Sequence, residues 1–241
     1  TEQEASLHSD QLKKVHVSDL VKRLIEQVSF EARTSEFVDK KSGVSARLTI
    51  SAYENAVSAA ERRAIMNKEK ETQIWISDLT GIIPSITGKI ELVYEGEQEG
   101  PYQVAYNLLE KSIRTQFVKY FSNPESYKKR KSKEAVLEEN PYKSITRWFD
   151  AGNQLNISFG LKDEDKVQLL YKVDGLFGFV KKHFPNANTK ENALLMEFVL
   201  HGLSTYSLIS KKVLEGKIEF KDLMGSMINL SSQSFSDEEL E

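Results

Sequence analysis

Arg47 is the residue whose type and position most suggest chemistry. It stands in SGVSARLTISAYENAVSAAERRAIMN, residues 42–67, the most regular stretch of the chain. Ile50, Tyr53, Val57, Ala60 and Ala64 step by three and four, which places one apolar stripe along a helix. Gly43 breaks the preceding segment, and Ser42 or Ser45 can cap the new helix with a hydroxyl. Arg47 then falls in the first turn, where a cation opposes the helix dipole. An external anion such as a phosphate accounts for a cation there, because a guanidinium is a fixed fork of donors that does not deprotonate. Arg62 and Arg63, at the far end of the same helix, read as a solvated helix terminus.

The other reactive residue types form weaker patterns. Glu197 and His201 lie four apart and share a helix face. Two such residues can belong to a metal site, but third and fourth ligands are not visible, and a hydrogen-bonded Glu–His pair in a core is the plainer reading. His183 and Asp174 have no stronger claim, and no Ser/His/Asp or paired-carboxylate spacing stands out. Neither a catalytic nor a metal-binding residue is therefore assigned. Lys128 to Lys133, KKRKSK, is a basic run of the kind that binds phosphate backbones. Glu134, Glu138 and Glu139 follow it and can pair with it, so it reads as a solvated face and nucleic-acid binding is not expected. A phosphate-cradling GxxxxGK[ST] loop is absent from the sequence, and Gly88-Lys89 lacks the upstream glycine and the following hydroxyl. This chain by itself is not expected to hydrolyse ATP.

The elements that must position these residues read as helices, so an all-α protein in two lobes is expected. Residues 1–14 are polar and read as a flexible segment. Ser18 caps a helix with Asp19 in its first turn, ending near Ser35. Gln73 to Ser77 is either a short strand or, preferably, the extended lead-in to a helix capped by Ser77 or Asp78. Pro84 opens a helical run through Tyr94, and residues 95–101, EGEQEGP, form the best linker. A strong helix follows Pro101 and stops at Asn123-Pro124. Leu155, Ile157 and Phe159 permit a short strand. A helix from Asp163 to His183 contains Gly175 and Gly178, which allow close approach of a neighbour. Thr189 caps a helix that is apolar nearly all round, the expected centre of the second core. Lys217 to Asn229 reads as a last short helix, and residues 231–241 as an acidic flexible tail. Trp148, Phe149, Phe177, Phe179, Phe184 and Phe198 are core aromatics or the lining of a partner groove.

Composition sets the outer limits. With 241 residues the chain can build one large domain or two small ones. Hydrophobic residues make up 39% and charged ones 29%, and a net charge of −3 supplies no basic field for nucleic acid. No apolar run reaches the ~20 residues of a membrane span. The absence of cysteine excludes disulfides and thiolate metal sites and fits a cytoplasmic location. The chain opens on Thr1 without an initiator methionine and so reads as part of a longer protein.

One segment also carries a resemblance. GVSAR, a long Ala-rich helix with ERRA, a short segment ending in Asp78, and IPSITGKIELVYEGEQEGP resemble the region after the ATPase core in AAA+ proteins of the MoxR and magnesium-chelatase-like class. The likeness covers roughly residues 15 to 105. WFDAGNQL and EFVLHGL extend it less specifically into the tail of the longer members. The resemblance implies that residues 15–100 are a helical lid and that Arg47 is its "sensor 2" arginine, contacting nucleotide phosphates. It implies ATP and Mg in the parent protein, with neither expected on this fragment alone. It further implies an ATPase core elsewhere, neighbouring subunits of a ring, and a protein client or a metal-insertion reaction. Residues 101–230 would be a helical accessory domain. The contrasting expectation, from the residues alone, is a helical interaction scaffold with no nucleotide role.

Overall fold

The computed structural model describes residues 1–41, 43–128 and 140–223. Ser42, the basic run beyond Lys128 with its following glutamates, and the 231–241 tail lie outside the described residues. Helices dominate, with two small sheets, so the expectation of an all-α chain holds only as a mainly helical one. The described residues group into two compact units. The first is Thr1–Tyr120 with Phe159–Asp165, and the second holds Phe121–Ser158 and the residues from Lys166 onward. These bounds differ from the expected spans of 15–100 and 101–230.

In the first unit, α1 (Ser9–Lys14) lies within the expected flexible segment 1–14, and β1 (Val15–His16) follows it. The polar side chains that suggested flexibility make contacts with α3, as where Gln11 Nε2 donates to Glu61 Oε2 at 2.7 Å. Helix α2 (Asp19–Thr34) begins as expected, with Ser18 Oγ accepting the Val21 N–H. Its buried face, Leu20, Val21, Leu24, Ile25 and Val28, packs against α3 (Leu48–Met66) and α6 (Pro101–Tyr120).

Between α3 and α6 the chain departs from expectation in three places. Thr72–Gln73 is strand β2, parallel to β1, because β1 supplies the partner that a short isolated strand lacks. Both sequence alternatives hold in part, since the chain then enters a 3-10 helix, Ser77–Ile82. The helix after Pro84 is only α4 (Ile83–Thr87). After a turn at 88–89, Ile90 and Leu92 form isolated bridges to Val44 and Val38. The expected linker falls largely within α5 (Tyr94–Glu99), whose single buried residue is Gly96. Pro101 then opens α6 at once.

The second unit holds α7 (Glu125–Lys128), α8 (Lys143–Asp150), β3 (Leu155–Ser158), most of α9 (Asp163–Tyr171), α10 (Leu176–His183) and α11 (Thr189–Thr205). The expected helix from 163 to 183 is two helices. Gly175 sits between them at φ 76°, and a Cβ there would lie 2.5 Å from the Ser144 Cβ. It allows both a left-handed turn and a close approach, whereas a Cβ on Gly178 meets nothing within 4 Å. Helix α11 is buried from Asn192 to Leu203, as its all-round apolarity indicated. Its cap is Asn188, one residue before the expected Thr189, in a reciprocal capping box with Glu191.

The largest correction concerns residues 217–221 of the expected 217–229 helix; residues 224–229 lie outside the described residues. Instead of a helix, β4 (Ser210–Leu214) and β5 (Lys217–Lys221) form an antiparallel hairpin across Glu215-Gly216, with Gly216 at φ 77°. Strand β3 joins the free side of β5, giving the order β3-β5-β4. Ile218 and Phe220 pair with Ile157 and Leu155, all four buried on one face. Paired across strands, these side chains make the hairpin worth forming.

Candidate functional site

Backbone pairing upstream of α3 positions Arg47. Asp39 N–H donates to Glu91 O, Glu91 N–H to Gly43 O, and Ser45 N–H to Lys89 O, each at 2.9 Å. The loop is thereby fastened on residues 89–93. Ser45, one of the two expected caps, accepts the Arg47 N–H on its hydroxyl at 3.2 Å but does not cap α3, which has no side-chain cap hydrogen bond. Arg47 occupies the N-cap position, and its carbonyl accepts the Ser51 N–H. Its side chain is exposed and has no hydrogen-bond or ion-pair partner among the described residues.

Arg63, at the other end of α3, overturns its expected role. Arg62 is exposed, as a solvated helix end requires, but Arg63 is 2% exposed and lies on the buried face with Ala56, Ala60 and Ala64. Its guanidinium meets acceptors from three chain segments. Nε–H donates to Asp78 Oδ1 at 3.2 Å and an Nη2 hydrogen to Asp78 Oδ2 at 3.0 Å, a bidentate fork. Nη2 also reaches Gln73 O at 2.9 Å and Thr72 Oγ1 at 3.0 Å. Nη1 donates to Asp163 Oδ1 at 2.6 Å, with Glu69 Oε2 at 3.8 Å. Burial by itself lowers the guanidinium pKa, but the Asp78 and Asp163 carboxylates outweigh it and the net shift is upward.

Asp78 has a second task. Its Oδ2 accepts the Trp75 N–H at 2.9 Å, which fastens the turn leading into the 3-10 helix. The side chain that opens the 3-10 helix thus also neutralises Arg63. Asp163 accepts in turn from the Trp75 indole Nε1–H at 2.7 Å and lies 3.0 to 3.1 Å from the Thr72 hydroxyl. The arrangement is a buried ionic network, with Arg63 only 2% exposed to an external ligand.

The second unit has its own buried polar group, on α11. Glu197 and His201 do share a face, but the expected hydrogen bond between them is not made. Glu197 Oε1 lies 3.8 Å from Lys166 Nζ, and both side chains are fully buried. His201 Nδ1 lies 3.4 Å from Lys211 Nζ on β4, so Nδ1 accepts and the ring proton sits on Nε2. Nε2 is buried without a hydrogen-bond partner among the described residues, and the ring stands edge-on to Phe220. Burial, then Lys211 and Lys166, push the imidazole pKa well below its usual range, and His201 is neutral. A lysine beside each acidic or basic group, rather than further carboxylates or histidines, makes this a poor cation site. Among the described residues no group of three or more His, Asp and Glu is arranged to hold a metal.

The aromatics divide. Phe149, Phe179 and Phe198 are buried, and Phe121 joins Phe179 and Phe198 at centroid distances of 5.1 and 6.3 Å. Phe177 is exposed and lies against exposed Tyr171 at 4.9 Å. Among the described residues no helix is long and apolar enough to cross a membrane. Comparison with protein-family models, curated proteins and solved structures gave no match to this chain.

Proposed function

We propose that this chain is the lid and accessory region of an AAA+ ATPase resembling the MoxR and magnesium-chelatase-like class. The observation that carries the reading is the state of Arg47. It is an exposed guanidinium, unpaired among the described residues, at the start of a long helix, where its charge opposes the dipole, yet its backbone is held by Ser45 and by the 89–93 pairing. A cation kept in an unfavourable place on an ordered loop suits an anion that arrives from elsewhere. In this reading Arg47 contacts nucleotide phosphates bound by a core outside this chain, which also holds Mg. The lid closes over ATP, and its rotation couples hydrolysis to movement of neighbouring ring subunits in the cytoplasm. The parent then remodels a protein client or assists metal insertion, and the fragment alone is not catalytic.

The test is ATP turnover of the full-length protein with Arg47→Ala, with nucleotide binding and assembly followed in parallel. The expected result is a loss of turnover on the order of 10²-fold, as for removal of one donor to a developing phosphate or oxyanion charge. Unchanged turnover in an assembled, active parent rejects the role of Arg47. A full reading frame without a phosphate-binding loop rejects the lid reading. The exposed Tyr171–Phe177 pair favours one second reading, a helical interaction scaffold with no nucleotide role, which those negative outcomes would leave standing.

A further inference from the structure

Segment 159–165 belongs to the first unit, although in sequence it is flanked on both sides by residues of the second. None of its side chains is fully buried: Phe159, Leu161 and Asp163 are half-buried and the other four residues are exposed. Phe159 and Leu161 add partial apolar burial, and neither is part of the fully buried core. Polar contacts predominate, and they converge on Asp163. Its Oδ1 accepts from Arg63 Nη1 at 2.6 Å and from Trp75 Nε1 at 2.7 Å, with the Thr72 hydroxyl alongside. Its backbone N–H donates to Glu69 Oε1 at 2.9 Å, and Asn67 Nδ2 donates to Gly160 O at 2.8 Å.

The receiving side does not depend on the segment. Without Asp163, Arg63 keeps both oxygens of Asp78, the Gln73 carbonyl and the Thr72 hydroxyl. Trp75 stays tied to Asp78 through its backbone N–H. A guanidinium corner, a hydroxyl and an indole N–H thus stay aimed at one point, held by partners of their own. That is a preorganised receptor for a carboxylate.

We infer that Arg63, Thr72 and Trp75 form a carboxylate socket, and that Asp163 is its releasable intramolecular occupant, a latch fastening segment 159–165 to the first unit. When the latch leaves, the fold of the first unit persists and the socket takes a carboxylate from solution.

The test uses the full chain with Trp148→Phe, which leaves Trp75 as the one tryptophan of two. Asp163→Ala is compared with its Asp163 parent by amide hydrogen exchange and Trp75 fluorescence, with acetate as the probe and chloride at equal ionic strength as the control. The expected result is loss of protection in 159–165 by at least about tenfold, with α2, α3 and α6 unchanged. Trp75 emission shifts, and acetate returns it toward the Asp163 value saturably while chloride does not. Loss of protection in α3 and α6 together with the segment, or failure of the variant to fold, overturns the latch, because Asp163 would then be part of the core. An acetate response no larger than that of chloride overturns the socket. Asp163→Asn, which keeps one acceptor oxygen, is expected to lie between the two.

Discussion

Arg47 and Arg63 are two arginines on one helix with opposite circumstances. Arg47 caps the start of α3 in solvent, its side chain unpaired among the described residues. Arg63 lies near the end of α3, 2% exposed, with Asp78, Asp163, Thr72 and Gln73 as acceptors. Residue type does not decide the role; the supply of acceptors does. A buried guanidinium without partners costs several kcal/mol, so a chain that buries one must bring the carboxylates to it. An exposed guanidinium needs no such provision and is available to a ligand.

The comparison breaks most severely at Arg63→Ala. That change removes the charge Asp78 and Asp163 are arranged around and leaves two carboxylates facing each other. The first unit is expected to lose about 3–5 kcal/mol, the cost of breaking a buried pair from one side. Denaturant unfolding, with amide exchange in α3 assigning the loss to the first unit, measures it. A loss below ~1 kcal/mol would mean that the network is dispensable. Arg63→Lys is the sharper probe. A lysine keeps the charge but cannot hold both Asp78 oxygens while reaching Asp163, so a loss of about 1–3 kcal/mol is expected. Full retention of stability would show that charge rather than the planar fork matters.

Little of the Arg63 centre was legible in the sequence. Arg63 falls three residues after Ala60 and seven after Ala56, on the apolar face, while Arg62 does not; that phase was the available signal. Asp78 was visible as a candidate helix cap and the end of a segment but not as a partner of Arg63, and Asp163 is 100 positions away from Arg63, where no local spacing can connect them. The hairpin was more legible than the expected helix allowed. SKKVL and KIEFK flank Glu215-Gly216, and Ile218 and Phe220 alternate with polar residues. Helical propensity in the Lys- and Glu-rich stretch obscured that alternation, and β3, distant in sequence, supplied the partner that decided it. The long helices and the Ser18 cap were readable because periodicity and capping are local.

His201 in the second unit tests whether incomplete satisfaction has a measurable consequence. Its folded pKa lies below the ordinary 6.5, chiefly from burial. The unfolded chain therefore binds the proton more readily, and stability is fully present above about pH 6.5 and is lost as pH falls through the folded value. The slope is at most about 1.4 kcal/mol per pH unit. Thermal unfolding from pH 7.5 to 5, with exchange in α11 as the local readout, is expected to show this decline. His201→Gln, which does not titrate, is expected to reduce it. An unchanged acid slope in the variant would move the origin of the effect to other groups.

Arg47→Ala is expected to have the smallest effect on stability, within ~0.5 kcal/mol and tending towards stabilisation, since it removes a cation from the positive end of the α3 dipole. Denaturant unfolding of the full chain checks it. The near-zero value is what makes this variant informative. Arg63→Ala destabilises the first unit by several kcal/mol, so loss of function there is not assignable to phosphate contact. Arg47→Ala leaves the fold in place, and a fall in turnover with unchanged stability is then assignable to what the exposed guanidinium touches. Measurable destabilisation by Arg47→Ala would remove that distinction. It would mean that Arg47, like Arg63, is held by groups of its own chain, and the two ends of α3 would differ in degree rather than in kind.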